Sequence, residues 1–181
     1  MRIALTGSTG FIGGYLTRAL VDAGHELRLL IRPGREEAAP SFDGKTPELF
    51  IGDLSDANSL EGFLEGCDLL IHLASAHDHL NDEEMRAVNI GGTEALIAEA
   101  ERCGHSGSSG FEMWVVSSAV IGAPVYSYYR DTKRIQEKLI RGCGINWTSF
   151  RPTLVYGKGD MRHTAPLLRK CAQEKGTIWV P

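Results

Sequence analysis

A short glycine-rich segment constrains the fold of this chain more than any other part of its sequence. Residues 6–14 read TGSTGFIGG, with glycine at 7, 10 and 13, and lie between an apolar run at 3–5 and a segment of helical apolar spacing. Glycine has no Cβ atom, so it allows a tight turn and a close approach of other backbone. The free N–H groups at a helix N-terminus bind anions. The segment therefore predicts a strand, a turn and a helix, with a phosphate site at the turn.

The rest of the chain repeats this alternation of buried strands and helices. Short apolar runs predict strands at 2–6, 26–31, 48–51, 68–73, 113–117 and 146–150. Apolar residues spaced three to four apart predict helices at 11–23, 58–64, 82–103, 127–141 and 164–175. Strands and helices in this order are typical of an α/β fold, a doubly wound parallel sheet.

Composition narrows the class of protein further. The 181 residues carry a net charge of −4 and show no basic stripe, so we expect no nucleic-acid partner. The first apolar run is too short for a signal peptide or a membrane span, and we expect a cytoplasmic protein without a membrane partner. Metal binding is not expected either, although His77 and His79 flank Asp78, because no further ligand is suitably spaced. The four cysteines are far apart and predict reduced, structural thiols.

Seven motifs, in order, resemble one superfamily. They are TGSTGFIG at 6–13, GDL at 52–54, HLAS at 72–75, VNIGGT at 88–93, VVSSA at 115–119, YRDTK at 129–133 and RPTLVYG at 151–157. This series resembles the short-chain dehydrogenase/reductase superfamily, in its extended and atypical branches, which include the NAD-dependent epimerase/dehydratase-like proteins. The resemblance covers nearly the whole chain and implies a Rossmann fold that binds a nicotinamide dinucleotide.

The resemblance and the glycine turn together give a set of candidate cofactor-binding residues. Besides the charged residues discussed next, these are Gly7, Thr9, Gly10, Phe11, Ile12, Gly13, Leu54, Leu73, Ala74, Ser75, Ser117, Tyr129, Lys133, Pro152, Thr153 and Val155.

The end of the second strand favours NADP over NAD. Dinucleotide folds that bind NAD place an acidic residue there for the ribose 2′-hydroxyl. This chain has Arg32 and, three residues later, Arg35, whose guanidinium groups could pair with a 2′-phosphate. Arg32 could instead be an exposed cation that suits either cofactor. Asp53 resembles the aspartate that contacts adenine in the family, or it forms a turn.

A Tyr-x-x-x-Lys motif supplies the candidate reacting groups. Tyr129 and Lys133 are four residues apart, so a helix places both side chains on one face. A nearby ammonium stabilises a phenolate, which lets a tyrosine act as acid and base. Tyr128 would point about 100° away around the helix. The resemblance adds a serine that polarises the substrate oxygen, for which we favour Ser118 over Ser117, and a ribose contact for Lys133.

Other residues of the motifs have structural interpretations. Asn89 lies inside a predicted helix, and the resemblance implies that it braces the active-site region. The connection from Ser118 to Tyr129 is short for the family, which argues against a nucleotide-sugar substrate. We expect residues 1–160 to form the dinucleotide-binding Rossmann domain and 161–181 to begin a C-terminal substrate region that is largely missing from this sequence. An apolar edge left exposed in this way would favour self-association, and a homodimer is one outcome.

The sequence thus predicts an NADP-dependent oxidoreductase of the extended or atypical short-chain type. It would transfer a hydride to or from a carbonyl or alcohol carbon of a small-molecule substrate. Two alternatives remain open. One is an NAD(P)-dependent epimerase or dehydratase that oxidises its substrate transiently. The other is a non-catalytic protein that binds NADP as a sensor or assembly subunit.

Overall fold

A single parallel sheet organises the molecule. The computed structural model describes residues 1–42, 46–77, 81–105, 107, 110–124, 126–160 and 164–173. Within them, six parallel strands lie in the order β3-β2-β1-β4-β5-β6. They are β1 (Arg2–Thr6), β2 (Glu26–Ile31), β3 (Glu48–Ile51), β4 (Leu69–His72), β5 (Glu112–Val116) and β6 (Asn146–Phe150). This order confirms the predicted doubly wound fold, and it reverses direction between β1 and β4, where such sheets bind ligands.

Five α-helices of the described residues flank the sheet. They are α1 (Phe11–Asp22), α2 (Asp82–Arg86), α3 (Gly92–Arg102), α4 (Tyr128–Gly142) and α5 (Thr164–Gln173). A capping box starts α2, in which Asn81 and Glu84 each bind the other's backbone N–H. The hydroxyl of Ser127 accepts the Arg130 N–H and so starts α4 just before the Tyr-x-x-x-Lys motif. No helix in the described part of the chain could span a membrane.

The core fills both faces of the sheet. On one face, Leu5, Leu29 and Ile71 are almost fully buried and pack with Val21 of α1. On the other face, a larger cluster joins Leu70 and other strand residues to the apolar sides of α3 and α4. The sheet therefore holds the start of α1 and the start of α4 at its carboxyl edge from opposite faces.

The helix predicted at 58–64 is wrong. Only residues Ala57–Leu60 form a short 3₁₀ turn, and the segment beyond them consists of turns. The guanidinium of Arg28 on β2 donates to the carbonyl oxygens of Gly62 and Phe63 at 2.9 and 3.0 Å. Gly62 has φ 87°, which a helix does not contain. The carbonyl groups that a helix would use for its own hydrogen bonds thus accept from the buried guanidinium of Arg28 instead.

The helix predicted at 82–103 is present but interrupted. A π-helical turn, Ala87–Gly91, joins α2 to α3 and contains Asn89. Such turns are uncommon and often lie at functional sites. The wider turn sets the Asn89 side chain where it reaches two other elements, as described below.

Candidate active site

The glycine turn is packed so tightly that only glycine fits at two of its positions. Gly7 has φ 81°, and a Cβ atom there would lie 2.6 Å from the backbone nitrogen of Ala74. A Cβ atom on Gly13 would overlap the carbonyl oxygen of Gly7. Gly10 precedes α1 without a side-chain cap, so no side chain covers the first N–H groups of that helix. The residues present therefore suit a phosphate group, because the backbone is close and the N–H groups remain available.

The segment after β4 lies against this turn. The Ala74 N–H donates to the hydroxyl of Thr6 at 3.1 Å. The side chain of Leu54 is buried in the core, whereas that of Leu73 is half-buried and packs against the core. Ser75 is half-buried and donates to the amide oxygen of Asn89 at 3.2 Å.

Asn89 ties the segment after β4 to helix α4. Its side chain is fully buried. The amide nitrogen donates to the Ala76 carbonyl and to the hydroxyl of Thr132, both at 3.1 Å. The amide oxygen accepts the Ala76 N–H at 2.7 Å. The geometry is that of a brace between two elements, since Thr132 directly precedes Lys133.

The structure brings Tyr129 and Lys133 together at the start of α4. The Lys133 Nζ lies 5.8 Å from the centroid of the Tyr129 ring. Tyr129 is half-buried, and its ring packs 4.9 Å from the His77 ring. Lys133 is 1% exposed, and this burial lowers the pKa of its ammonium to about 8. At neutral pH the ammonium is therefore mostly charged, beside a phenol whose anion it would stabilise.

The two serines after β5 have different surroundings. Ser117 is buried, whereas Ser118 is half-buried. The Ser118 hydroxyl accepts the Val120 N–H at 3.3 Å and caps the 3₁₀ turn Ala119–Gly122. Of the two hydroxyls, that of Ser118 is the more open to a ligand.

An ion pair ties the end of β6 to α4. Arg151 donates to both oxygens of the Glu137 carboxylate, at 2.8 and 2.6 Å. These bonds outweigh the effect of burial and lower the pKa of Glu137 to about 2. Glu137 follows Lys133 by one helical turn, so this pair fixes the chain after β6 relative to the candidate residues Tyr129 and Lys133.

The segment after β6 folds over the start of α1. The Pro152 carbonyl accepts the Ala119 N–H at 2.9 Å, and the Tyr15 hydroxyl donates to the Lys158 carbonyl at 2.8 Å. Thr153 is exposed. Between the two elements lies an apolar cleft of about 290 Å³, lined by Phe11, Ile12, Tyr15, Val155, Tyr156 and Gly157. The structure thus brings three of the predicted contacts, Phe11, Ile12 and Val155, to one place.

The charges at the end of β2 face solvent. Arg32 and Arg35 are exposed, and neither has an ion-pair partner within the described part of the chain. Nearby, one oxygen of the Asp53 carboxylate accepts both the N–H and the hydroxyl of Ser55, at 2.9 and 2.7 Å. That is the turn-forming role foreseen as the alternative, and the adenine contact stays a prediction. Thr9 is likewise exposed, in the glycine turn.

The remaining predictions concern metals and thiols. Asp78 and His79 lie outside the described residues, and His77 packs on Tyr129. Among the described residues no group of three His, Cys, Asp or Glu side chains could hold a metal ion. All four cysteines are free.

Comparison with known proteins assigns the chain to a protein family. The profile of the NAD dependent epimerase/dehydratase family matches residues 3–180. This chain belongs to that family. Ceramide reductase of Caulobacter vibrioides is 33% identical over 158 residues, covering 87% of this chain and 47% of that protein. Sterol demethylase protein B of Methylococcus capsulatus is 32% identical over 185 residues, covering 90% and 54%. The crystal structure of gox2253 aligns with a TM-score of 0.75 at 28% identity, over 94% of this chain and 57% of that one.

The family assignment confirms the resemblance seen in the motifs. The chain spans about half the length of the curated relatives that it matches. The matched part contains the glycine turn, the serine pair and the Tyr-x-x-x-Lys motif. These features therefore sit in a family member with the family's fold.

Sequence reasoning missed the side chains that surround Lys133. Gln136 accepts from the Lys133 ammonium at 3.0 Å and donates to the hydroxyl of Thr93 at 2.9 Å. His72 on β4 is buried, and its Nε2 lies 3.3 Å from the same hydroxyl. A signal was present for Gln136, because three residues after Lys133 is the same face of a helix. Thr93 is the last residue of the VNIGGT motif, but it comes from α3, and no spacing along the chain indicated that it would meet Gln136.

Proposed function

We propose that this protein is an NADP-dependent oxidoreductase of the extended or atypical short-chain type, whose dinucleotide-binding unit is residues 1–160. It would transfer a hydride to or from a small carbonyl or alcohol. One observation carries the proposal: the buried Lys133 ammonium lies beside the Tyr129 ring in a family member, at the sheet edge that also bears the glycine turn.

The cofactor assignment rests on the turn and on the end of β2. The uncapped start of α1 and the two close-packed glycines suit a pyrophosphate. Arg32 stands at the end of β2, where an NAD-binding fold carries a carboxylate, and its guanidinium is exposed without an ion-pair partner among the described residues. A 2′-phosphate would supply that partner, which is the reason to prefer NADP.

In the proposed reaction the chain's own residues move and hold a proton. A bound nicotinamide dinucleotide supplies or accepts the hydride. During reduction the Tyr129 hydroxyl donates its proton to the substrate oxygen, and during oxidation the phenolate takes that proton back. The Lys133 ammonium stabilises the phenolate, and the Ser118 hydroxyl orients the substrate oxygen. Lys133 also binds the nicotinamide ribose in this proposal.

The relatives support redox chemistry, since one is named a ceramide reductase. An epimerase or dehydratase would use the same residues but return the hydride to its own substrate. A sensor or assembly protein would bind the cofactor without turnover. Two experiments distinguish the oxidoreductase from these alternatives.

The first experiment measures cofactor binding. NADPH and NADH are titrated into the wild type, Arg32→Ala and the control Arg169→Ala, which removes the same charge at an exposed position of α5. We expect Arg32→Ala to weaken NADPH binding about tenfold and to leave NADH binding unchanged, because one charged hydrogen bond is lost. Absence of binding by the wild type would overturn the function, and an unchanged NADPH preference in Arg32→Ala would overturn the cofactor assignment.

The second experiment measures NADPH oxidation with a panel of carbonyl compounds. Tyr129→Phe should lower kcat about 100-fold or more, since the proton donor is lost, while the neighbouring Tyr128→Phe should stay within a few fold. Full activity of Tyr129→Phe would refute the mechanism. Binding of NADPH without turnover of any carbonyl would favour the sensor or the epimerase.

A further inference from the structure

Lys133 poses an energetic problem for the fold. Its ammonium is buried, yet no carboxylate among the described residues forms an ion pair with it. The carboxylate one turn along the helix, Glu137, is bound by Arg151. An isolated buried charge is strongly unfavourable unless hydrogen bonds replace its hydration. Two neutral acceptors do so here, the Val116 carbonyl at 3.1 Å and the Gln136 side-chain oxygen at 3.0 Å.

The orientation of the Gln136 amide follows from its partners. An ammonium can only donate, so the amide oxygen must face Lys133. The amide nitrogen then faces Thr93 and donates to its hydroxyl. The single hydroxyl proton of Thr93 goes to the Asn89 carbonyl at 2.8 Å, since a carbonyl can only accept. Thr93 therefore accepts from Gln136, and the amide has one stable orientation.

His72 completes the series of hydrogen bonds. Its Nε2 lies 3.3 Å from the Thr93 hydroxyl, whose proton is already committed, so Nε2 must carry the proton and donate. Its Nδ1 is then bare and accepts from the Thr6 hydroxyl at 2.8 Å. Burial lowers the pKa of His72 to about 3, which keeps the ring neutral. The hydrogen bonds thus connect Thr6, next to the glycine turn, with the ammonium of Lys133.

We propose that Gln136 is a positioning residue, which holds the Lys133 ammonium against β5 and keeps one of its N–H groups for the ligand side. This role rests on the proposed function of Lys133. Because the amide is neutral, it fixes the position of the ammonium without adding a counter-charge. The titratable groups that face Lys133 are Tyr129 and Glu137 on its own helix and His72 on β4.

The test measures the titration of Lys133 directly, in the full chain and without a substrate. The chain has only six lysines, so ¹³C-lysine labelling gives few NMR signals, and Lys133→Met identifies the relevant one. The variants are Gln136→Met, which keeps the volume but removes the acceptor, and Gln136→Glu, which adds a charge. Gln173→Glu, at an exposed position of α5, is the matched control.

We expect the Lys133 midpoint to fall by about one pH unit in Gln136→Met, and to rise by about one unit or more in Gln136→Glu. Gln173→Glu should leave it unchanged. If Gln136→Met fails to fold, Gln136→Glu decides alone. A midpoint that does not move in either Gln136 variant would overturn the proposal.

A parallel NADPH titration separates this proposal from the proposed function. We expect Gln136→Met to weaken NADPH binding several-fold, because the ammonium that contacts the ribose is no longer held. If the wild type does not bind NADPH, the proposed function fails, and the Lys133 midpoint still decides whether Gln136 positions the ammonium. If NADPH binds equally to all variants and the midpoint is constant, only the positioning role is lost.

Discussion

The two ends of the proposed cofactor site contrast sharply. Around Lys133 the polar side chains are buried, and the hydrogen bonds fix their orientations. At the end of β2, Arg32 and Arg35 are exposed and have no ion-pair partner among the described residues. The fold therefore holds the polar groups around Lys133 in fixed orientations. Such preorganised dipoles are what electrostatic stabilisation of a reaction requires. The outer end keeps its charge for a ligand, so changes there should alter binding but hardly stability.

The largest effect on stability is expected at Gly13, where the glycine turn packs most closely. Gly13→Ala should destabilise the protein by about 3 kcal/mol or more, because the new Cβ atom would overlap the Gly7 carbonyl. Gly14→Ala is the control, since its Cβ would meet only the Ser8 carbonyl, at 4.0 Å, and alanine favours a helix. Urea unfolding measures both. Equal stability of the two variants would show that the turn is less rigid than its packing indicates.

The second effect is a pH dependence of stability that comes from His72. The pKa of His72 is about 3 in the folded protein and near 6.5 in the unfolded chain. As pH falls below 6.5 the unfolded chain binds a proton that the folded protein does not, so stability falls. Between about pH 6.5 and 5 the wild type should lose about 2 kcal/mol more than His72→Gln, which does not titrate. Parallel curves of unfolding free energy against pH would contradict the buried neutral ring.

A pH effect of about the same size should come from Glu137 at lower pH. Its pKa is lowered to about 2 from 4.5, so it stabilises the fold above pH 4.5 and loses this effect as pH falls through 2. The stability difference between the wild type and Glu137→Gln should therefore shrink by about 2 kcal/mol from pH 5 to 3. Unfolding at several pH values checks this. A difference that stays constant would mean that the Arg151 pair contributes little.

The smallest effect on stability is expected at the outer end of the proposed cofactor site, at Arg32 and Arg35. Arg32→Ala and Arg35→Ala should each change the free energy of unfolding by less than about 0.5 kcal/mol, as exposed substitutions do. Urea unfolding of these variants checks this, alongside the loss of NADPH affinity expected for Arg32→Ala. A clear loss of stability would show that the two ends differ less than proposed.

Strand positions followed closely from the sequence, and one helix did not. All six strands lie within a residue of their predicted bounds. For β1, β2 and β4 the reason is that a strand buried on both faces is a nearly continuous apolar run. The segment 58–64 has helical spacing, yet Arg28 takes its carbonyl groups. The apolar spacing within a segment gives no information about such a partner, because Arg28 lies on a strand about thirty residues earlier.

The candidate site divides in the same way. The Tyr129–Lys133 pair and the glycines were visible in the sequence, because four-residue spacing and the strand–turn–helix order are local properties. Among the surroundings of Lys133, only Gln136 had a comparable signal, because it lies three residues further along the same helix. Gln136 reaches Thr93, and His72 reaches the same hydroxyl, only because α3, β4 and α4 pack together.

The sequence by itself determined the alternation of strands and helices, the family, and the residues that carry the proposed chemistry. These properties depend on the spacing of residues along the chain, which can be read directly from the sequence. Only the tertiary structure decided that Lys133 is buried without a carboxylate partner among the described residues, and that Gln136 replaces the water it would otherwise bind. Burial and hydrogen-bond direction depend on which elements meet, and that is set by the packing of the whole sheet.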